Sequence, residues 1–401
     1  MLDEYVSRWG TNSAKWDESR DITQSDDVIS LSVADMDFRT SATIINELTT
    51  FASHGIYGYT NISKNYLSVT KKWTEDNYHW RIDEDWIIFS PRIIQAVSLL
   101  IQKYTSVGDG VVIQTPLYSP LRNAIESNER KVVTNPLIYH NNTYLMDFID
   151  LEKKFKENIK VMILCSPHNP VGRAWNRDEL IKLVELCKKY GVLLISDEVH
   201  ADFTWGKEHF TVGRLLDIYE NIIVCMSPSK TFNIPGLEVS NIIIENSDIR
   251  EKFKLSLNQA GIHNPTFFAV PALEKAYTES DEWLTALKSV ILDNIAYVKK
   301  FLKENLPGFN CANTEGTFTM WINYMDTGLK EEELKKILHE DAMVTVGLGT
   351  DFGVEGNGFI RINVALPRKK LEEAMNRILL SYNDWREQKW MRKKIKNPGL
   401  A

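Results

Sequence analysis

The feature that most constrains this chain is a succession of seven short apolar runs between about residue 86 and residue 245: DWIIF, GVVIQTP, RKVVTNPL, KVMILCSP, GVLLISDEV, NIIVCMSPSK and VSNIIIE. Rich in β-branched residues and bounded by turn formers, they read as strands. Several are apolar throughout rather than alternating, the pattern of strands covered by helices on both faces. Between them lie segments of helical spacing, Arg92 to Tyr104, Pro120 to Ser127 and Arg177 to Tyr190; the last opens on Asn176 as a candidate N-cap and closes at Gly191. Strand and helix in alternation predict an α/β domain around a mainly parallel seven-stranded sheet.

From about residue 281 the character changes. Long amphipathic helical patterns, DEWLTALKSVILDNIAYVKKFLKENL and KEEELKKILHED, are interspersed with short strands such as GTFTMWINY and GFIRINVAL. This predicts a smaller α+β domain. The expected division is a large domain over residues 46–280 and a small domain made of 281–401 together with the N-terminal segment 1–45.

Composition narrows the function classes. With 47 Lys and Arg against 54 Asp and Glu the net charge is −7, so no overall basic field draws the chain to nucleic acid or anionic lipid. Cys165, Cys187, Cys225 and Cys311 form no CxxC pair, which argues against a structural zinc or any metal site and against a disulfide framework, and favours the reducing cytoplasm. No window reaches the roughly 18 apolar residues of a membrane span and the N-terminus lacks a signal-peptide pattern, so neither is expected. The basic tail WMRKKIKNP is expected to cap or trail a C-terminal helix. Small-molecule chemistry is the remaining default.

In open α/β sheets ligands bind beyond the carboxyl ends of the strands. Four such ends carry polar residues: Ser90-Pro91-Arg92, Ser166-Pro167-His168-Asn169-Pro170-Val171-Gly172, Asp197-Glu198-Val199-His200, and Ser227-Pro228-Ser229-Lys230. Taken singly, each is an ordinary turn, cap or chance tripeptide. An Asp and a Lys at neighbouring strand ends, however, could face one small pocket.

In their order, the SPxNPxG, DE and SxSK elements resemble those of the class I/II aminotransferase-like family, the pyridoxal 5′-phosphate (PLP) enzymes of fold type I. GTNSAKWD, SVADMDF, GIYGYT, DEVH, SKTFNIPGL and RINVALPR further resemble the MalY/PatB-type branch of cystathionine β-lyases and cysteine-S-conjugate β-lyases, with coverage from about residue 10 to about residue 380. The resemblance implies the PLP-dependent transferase fold and PLP as cofactor.

It also implies roles. Lys230 supplies the amine that captures the cofactor's aldehyde and later removes the Cα proton of the substrate. Asp197 faces the pyridine nitrogen, since a buried carboxylate favours its protonated form. Asn169 donates to the ring oxygen; His200 stands where many transaminases carry a Tyr with the same task. Tyr118 stacks on the ring. The phosphate falls to the helix start at Arg92 and Ile93, to Ser227 and Ser229, and to Tyr59, which resembles a tyrosine reaching across a homodimer interface into a shared active site. Asn264-Pro265 resembles a second segment that approaches the partner's site. Arg361 offers a guanidinium fork for the substrate carboxylate, while Asp35 and Met36 form the lid-side wall of the pocket. Glu238 departs from the transaminase pattern, in which that position carries an Arg for the phosphate; Arg92 becomes the candidate replacement.

The expected reaction is β-elimination from cystathionine or another cysteine-S-conjugate, releasing a thiol, pyruvate and ammonia. Two alternatives stay open: an aminotransferase, which would use the same residues, and a regulatory binding protein on the same fold.

Overall fold

All seven apolar runs form strands of one sheet in the computed structural model, which describes residues 2–396. They are β1 (Ile87–Ser90), β2 (Gly110–Thr115), β3 (Lys131–Pro136), β4 (Val161–Cys165), β5 (Leu193–Asp197), β6 (Ile222–Met226) and β7 (Ser240–Ile243), in the spatial order β1-β7-β6-β5-β4-β2-β3. β7 runs antiparallel to both β1 and β6, while the pairings from β6 across to β3 are parallel. The central strands β4, β5 and β6 are buried at every position, which is why their sequences show no polar alternation.

The helical segments fall where their spacing placed them, at Ile93–Tyr104, Ser119–Glu126 and Arg177–Tyr190. The last is closed at both ends. Asn176 Oδ1 accepts the Glu179 N–H at 2.9 Å, and Glu179 Oε2 accepts the Asn176 N–H at 2.9 Å. At the other end Gly191 takes the left-handed conformation with φ of 67°, which lets its N–H bond the carbonyl of Lys188. Ile88, Val97, Leu100, Ile113, Ile163, Ile195, Ile223 and Ile242 belong to one buried cluster between helices and sheet. Burial of each such side chain stabilises the fold by roughly 1.5–3 kcal/mol.

The chain divides into two compact units. The large unit comprises Thr40–Ser289 and Asn313–Thr317; the small unit takes the residues through Arg39, Val290–Ala312 and those from Phe318 onward. These bounds differ from the divisions at 45/46 and 280/281 read from the sequence. The helix Asp281–Asn305 starts in the large unit, where Trp283 packs on Phe232 with ring centroids 6.1 Å apart, and continues into the small one. Asn313–Thr317 belong to the large unit because they are pinned to the loop after β4: the N–H groups of Glu315 and Gly316 both bond the carbonyl of Gly172, and the Glu315 carboxylate pairs with Arg173.

Within the small unit, Asn310–Cys311, Thr319–Asn323, Phe359–Asn363 and Gly347–Leu348 form an antiparallel sheet in that order. Trp321 stacks on Phe359 across it at 5.2 Å. Ile29–Ser30 of the N-terminal segment pairs with Val344–Thr345. The KEEELKKILHED pattern is helical from Glu331 but changes to π-helical winding over Lys336–Asp341. The C-terminal helix Arg368–Lys396 takes in the start of the basic tail, whose last residues lie outside the described ones. Among the described residues no helix is long and apolar enough to cross a membrane.

Candidate active site

The carboxyl ends of β4, β5 and β6 lie side by side, and this brings the polar residues of three loops together. Asp197, the last residue of β5, is in register with Cys165 of β4 on one side and Cys225 of β6 on the other. Its backbone carbonyl accepts the N–H of Ser166, at the head of the SPHNPVG loop. Within that loop the Asn169 carbonyl accepts the N–H of Tyr118 at 3.1 Å, joining the loop after β2 to the same edge. Asn169 is buried, and Tyr118 is half-buried against the core cluster. His168, next to Asn169, is anchored through Nε2 to the carbonyl of Pro116 at 2.8 Å; burial pushes its pKa down to about 4, so it stays neutral at physiological pH.

Asp197 is enclosed, and burial raises its pKa from the ordinary carboxylate value to about 6. The Val199 N–H, donating to Oδ1 at 3.2 Å, and the charge of Lys230 pull in the opposite direction. Lys230 is therefore close enough for its charge to act on Asp197. The two flanking thiols are held strongly protonated, by burial first and by the negative charge of Asp197 second. A carboxylate set between neutral groups of low polarity is poorly compensated within its own chain and suits a cationic N–H.

Lys230 is partly buried on the short helix Pro228–Thr231, which Ser227 caps. Ser227 Oγ donates to the carbonyl of Val239 at 2.6 Å and accepts the N–H of Ser229 at 3.0 Å. The expectation places both hydroxyls at the phosphate; without cofactor, the proton of Ser227 bonds local backbone. His200 is buried in the turn after β5.

Arg92 is the N-cap of the helix Ile93–Tyr104, leaving the first N–H groups of that helix directed along its start. Its guanidinium, exposed to 66%, is paired with Glu238 through Nε at 2.9 Å and through Nη2. Glu238 thus takes up the charge of the side chain that was expected to compensate for it. Tyr59 is fully exposed on its own chain. The Asn264 amide donates to the Thr60 carbonyl at 2.8 Å and to Asn61 Oδ1 at 3.1 Å, so the Tyr59 and Asn264 loops form one surface.

In the small unit, Arg361 is buried on the strand Phe359–Asn363, its guanidinium carbon 4.6 Å from the ring centre of Phe352 and Nη2 donating to the carbonyl of Ser32 at 2.6 Å. Asn363 on the same strand donates to the carbonyls of Val33 and Asp35 at 2.8 and 2.6 Å. The VADMDF segment is thereby laced to this strand. The Asp35 carboxylate is gripped by Arg8 at 2.8 and 3.0 Å, and Met36 is buried. Asp35 is thus held in place by an ion pair.

Sequence reading missed the two cysteines flanking Asp197 and a polar network behind the site, in which Glu198 accepts from Ser196, Val212 N–H and His209. An unbroken run of buried strand residues ending in two acids is the only local signal of it. Among the described residues no group of three acidic, His or Cys side chains could hold a metal ion.

The donor set fits PLP: an amine at Lys230, a poorly compensated buried carboxylate at Asp197, a buried amide at Asn169, a half-buried ring at Tyr118 and a helix N-terminus at Ile93. Residues 26–378 match the aminotransferase class I and II family. The chain is 36% identical to cystathionine β-lyase PatB of Bacillus subtilis over 94% of its own length and 98% of that protein's. It is 33% identical to the protein MalY of Escherichia coli, over 92% and 95% of the two chains. Among solved structures, cystalysin from Treponema denticola, which contains a pyridoxal 5′-phosphate cofactor, superposes with a TM-score of 0.93 at 35% identity, covering 96% of this chain and 99% of its own. By the extent of these matches and by its sheet, this chain belongs to the aminotransferase class I and II family.

Proposed function

We propose that the protein is a PLP-dependent carbon–sulfur β-lyase that cleaves cystathionine or other cysteine-S-conjugates to a thiol, pyruvate and ammonia. The observation that carries the cofactor chemistry is the placement at neighbouring strand ends of Lys230 and Asp197, a carboxylate whose pKa burial raises to about 6 and on which the charge of Lys230 acts. The choice of elimination is supported by the likeness to cystathionine β-lyase PatB along nearly the whole chain.

When bound, PLP supplies an electron sink for the pair left at Cα. Asp197 would hold the proton on the ring nitrogen, Asn169 and His200 would bond the ring oxygen, and Tyr118 would cover the ring. The backbone N–H groups at Ile93, with Ser229, would receive the phosphate. The guanidinium of Arg361 orients the substrate by its carboxylate, with two parallel hydrogen bonds. Nζ of Lys230 would accept the Cα proton of the substrate. The C–S electrons then depart with the thiolate from Cβ, and water converts the remaining enamine to pyruvate and ammonia.

Two further features complete the reading. Tyr59 belongs to the partner's phosphate site in a homodimer, supported by its full exposure beside exposed Ile56 and Tyr57; sedimentation as a monomer at assay concentration would overturn this. Work in the cytoplasm is supported by four free cysteines, three of them buried.

The deciding assay removes any oxo acid acceptor. With S-ethyl-L-cysteine alone, the enzyme should release thiol, pyruvate and ammonia over many turnovers. Arrest after about one turnover, relieved by adding an oxo acid, would identify an aminotransferase instead.

A further inference from the structure

The carboxylate of Asp202, unused in the roles above, joins the two segments that carry Asp197 and Lys230. It lies in the turn that follows Asp197 and His200. Tyr78 Oη donates to its Oδ1 at 2.5 Å, and the hydroxyl of Thr231, next in sequence to Lys230, donates to its Oδ2. Thr231 is wholly buried and Tyr78 nearly so. Burial drives the Tyr78 pKa far up, keeping the phenol a donor. For Asp202 burial raises the pKa, while both hydroxyls and the charges of Lys288 and His209 oppose the rise. Hydrogen bonds to a carboxylate are stronger and more directional than neutral ones, so this acceptor can fix Thr231 in place.

We propose that Asp202 is a positioning residue for Lys230. Acting through the Thr231 hydroxyl, it sets the lysine-bearing segment relative to the turn that carries Asp197, so that Nζ meets the Cα proton along the right line. The proposal rests on the reading of Lys230 and Asp197 given above. It predicts a geometric defect, with little change in substrate affinity.

The test compares holoenzymes of wild type, Thr231→Val, Thr231→Ser and Asp202→Asn, using S-ethyl-L-cysteine with hydrogen or deuterium at Cα. Thr231→Val should lower kcat by about 10- to 100-fold, the scale of a small misplacement of a reacting group, with KM changed by no more than about twofold. The deuterium isotope effect on kcat should rise as proton removal becomes limiting. Thr231→Ser, which keeps the hydroxyl, should recover kcat to within about threefold of wild type, and Asp202→Asn should follow Val. Capture of PLP by the cofactor-free protein, read as growth of the lysine-bound band above about 400 nm, should slow in Thr231→Val as well. A Thr231→Val enzyme with wild-type kcat, isotope effect and capture rate would overturn the proposal while leaving Lys230 in its role. So would a loss of kcat that Ser does not repair. If Lys230→Ala retains the band above about 400 nm, the assignment of Lys230 fails, and this proposal with it. Should Asp202→Asn not fold, the Val and Ser pair decides the matter alone.

Discussion

A guanidinium inside an apolar strand is tolerated only where its donors find acceptors or a ring face. Arg361 has the Ser32 carbonyl and the face of Phe352 among its partners, and the proposed function gives it the substrate carboxylate. Arg361→Lys keeps the charge but loses the planar fork. With hydrogen bonds to charged groups contributing roughly 1.5–3 kcal/mol each, kcat/KM for S-ethyl-L-cysteine should fall by at least about tenfold with PLP content unchanged. A variant that loses PLP but has normal kinetics in its loaded fraction would make Arg361 structural. At this scale the motifs were legible and their partners were not. Lys230, Asp197 and Asn169 stand out because polar residues end apolar runs, whereas the Arg92–Glu238 and Arg8–Asp35 pairs join residues far apart in sequence, which no local pattern records.

Among the elements, the helix Arg177–Tyr190 shows what local sequence can specify completely. Asn176 and Glu179 satisfy each other's N–H groups, and Gly191 supplies the left-handed exit. Asn176→Ala should destabilise the protein by about 1 kcal/mol, read from the urea midpoint, with steady-state kinetics unaltered. An unchanged midpoint would mean that tertiary packing alone holds this helix start. The seven strands were equally legible, being short, apolar and punctuated. The return of Asn313–Thr317 to the large unit was not, because it depends on Gly172 and Arg173 meeting a loop remote in sequence. Nor does the spacing of KEEELKKILHED disclose its change to π-helical winding, since apolar positions are buried in both stretches, Leu334 in the first and Ile337 and Leu338 in the second.

For the molecule as a whole, the buried carboxyl of Asp197 couples folding to pH. Without cofactor it binds a proton at about pH 6 in the folded chain, against about 3.9 for an unfolded Asp. A raised folded-state pKa means that the stabilising contribution is fully present below about pH 4 and is lost as pH rises through the folded value. The gap corresponds to about 3 kcal/mol. Cofactor-free Asp197→Asn should therefore gain stability relative to wild type, by up to about 3 kcal/mol, between about pH 4 and pH 7. Parallel urea midpoints for the two proteins across that range would remove Asp197 as a coupled group. The division into units has a different consequence, in the time domain of synthesis. The small unit needs both the first 39 residues and those from Val290 on, and Ile29–Ser30 pairs with Val344–Thr345. At roughly 5–20 residues per second, the leading segment waits on the order of 10–50 seconds outside the ribosome before its partners emerge. Through that interval the apolar side chains of Trp16, Leu31, Met36 and Phe38, all buried in the finished protein, stand open to chaperones.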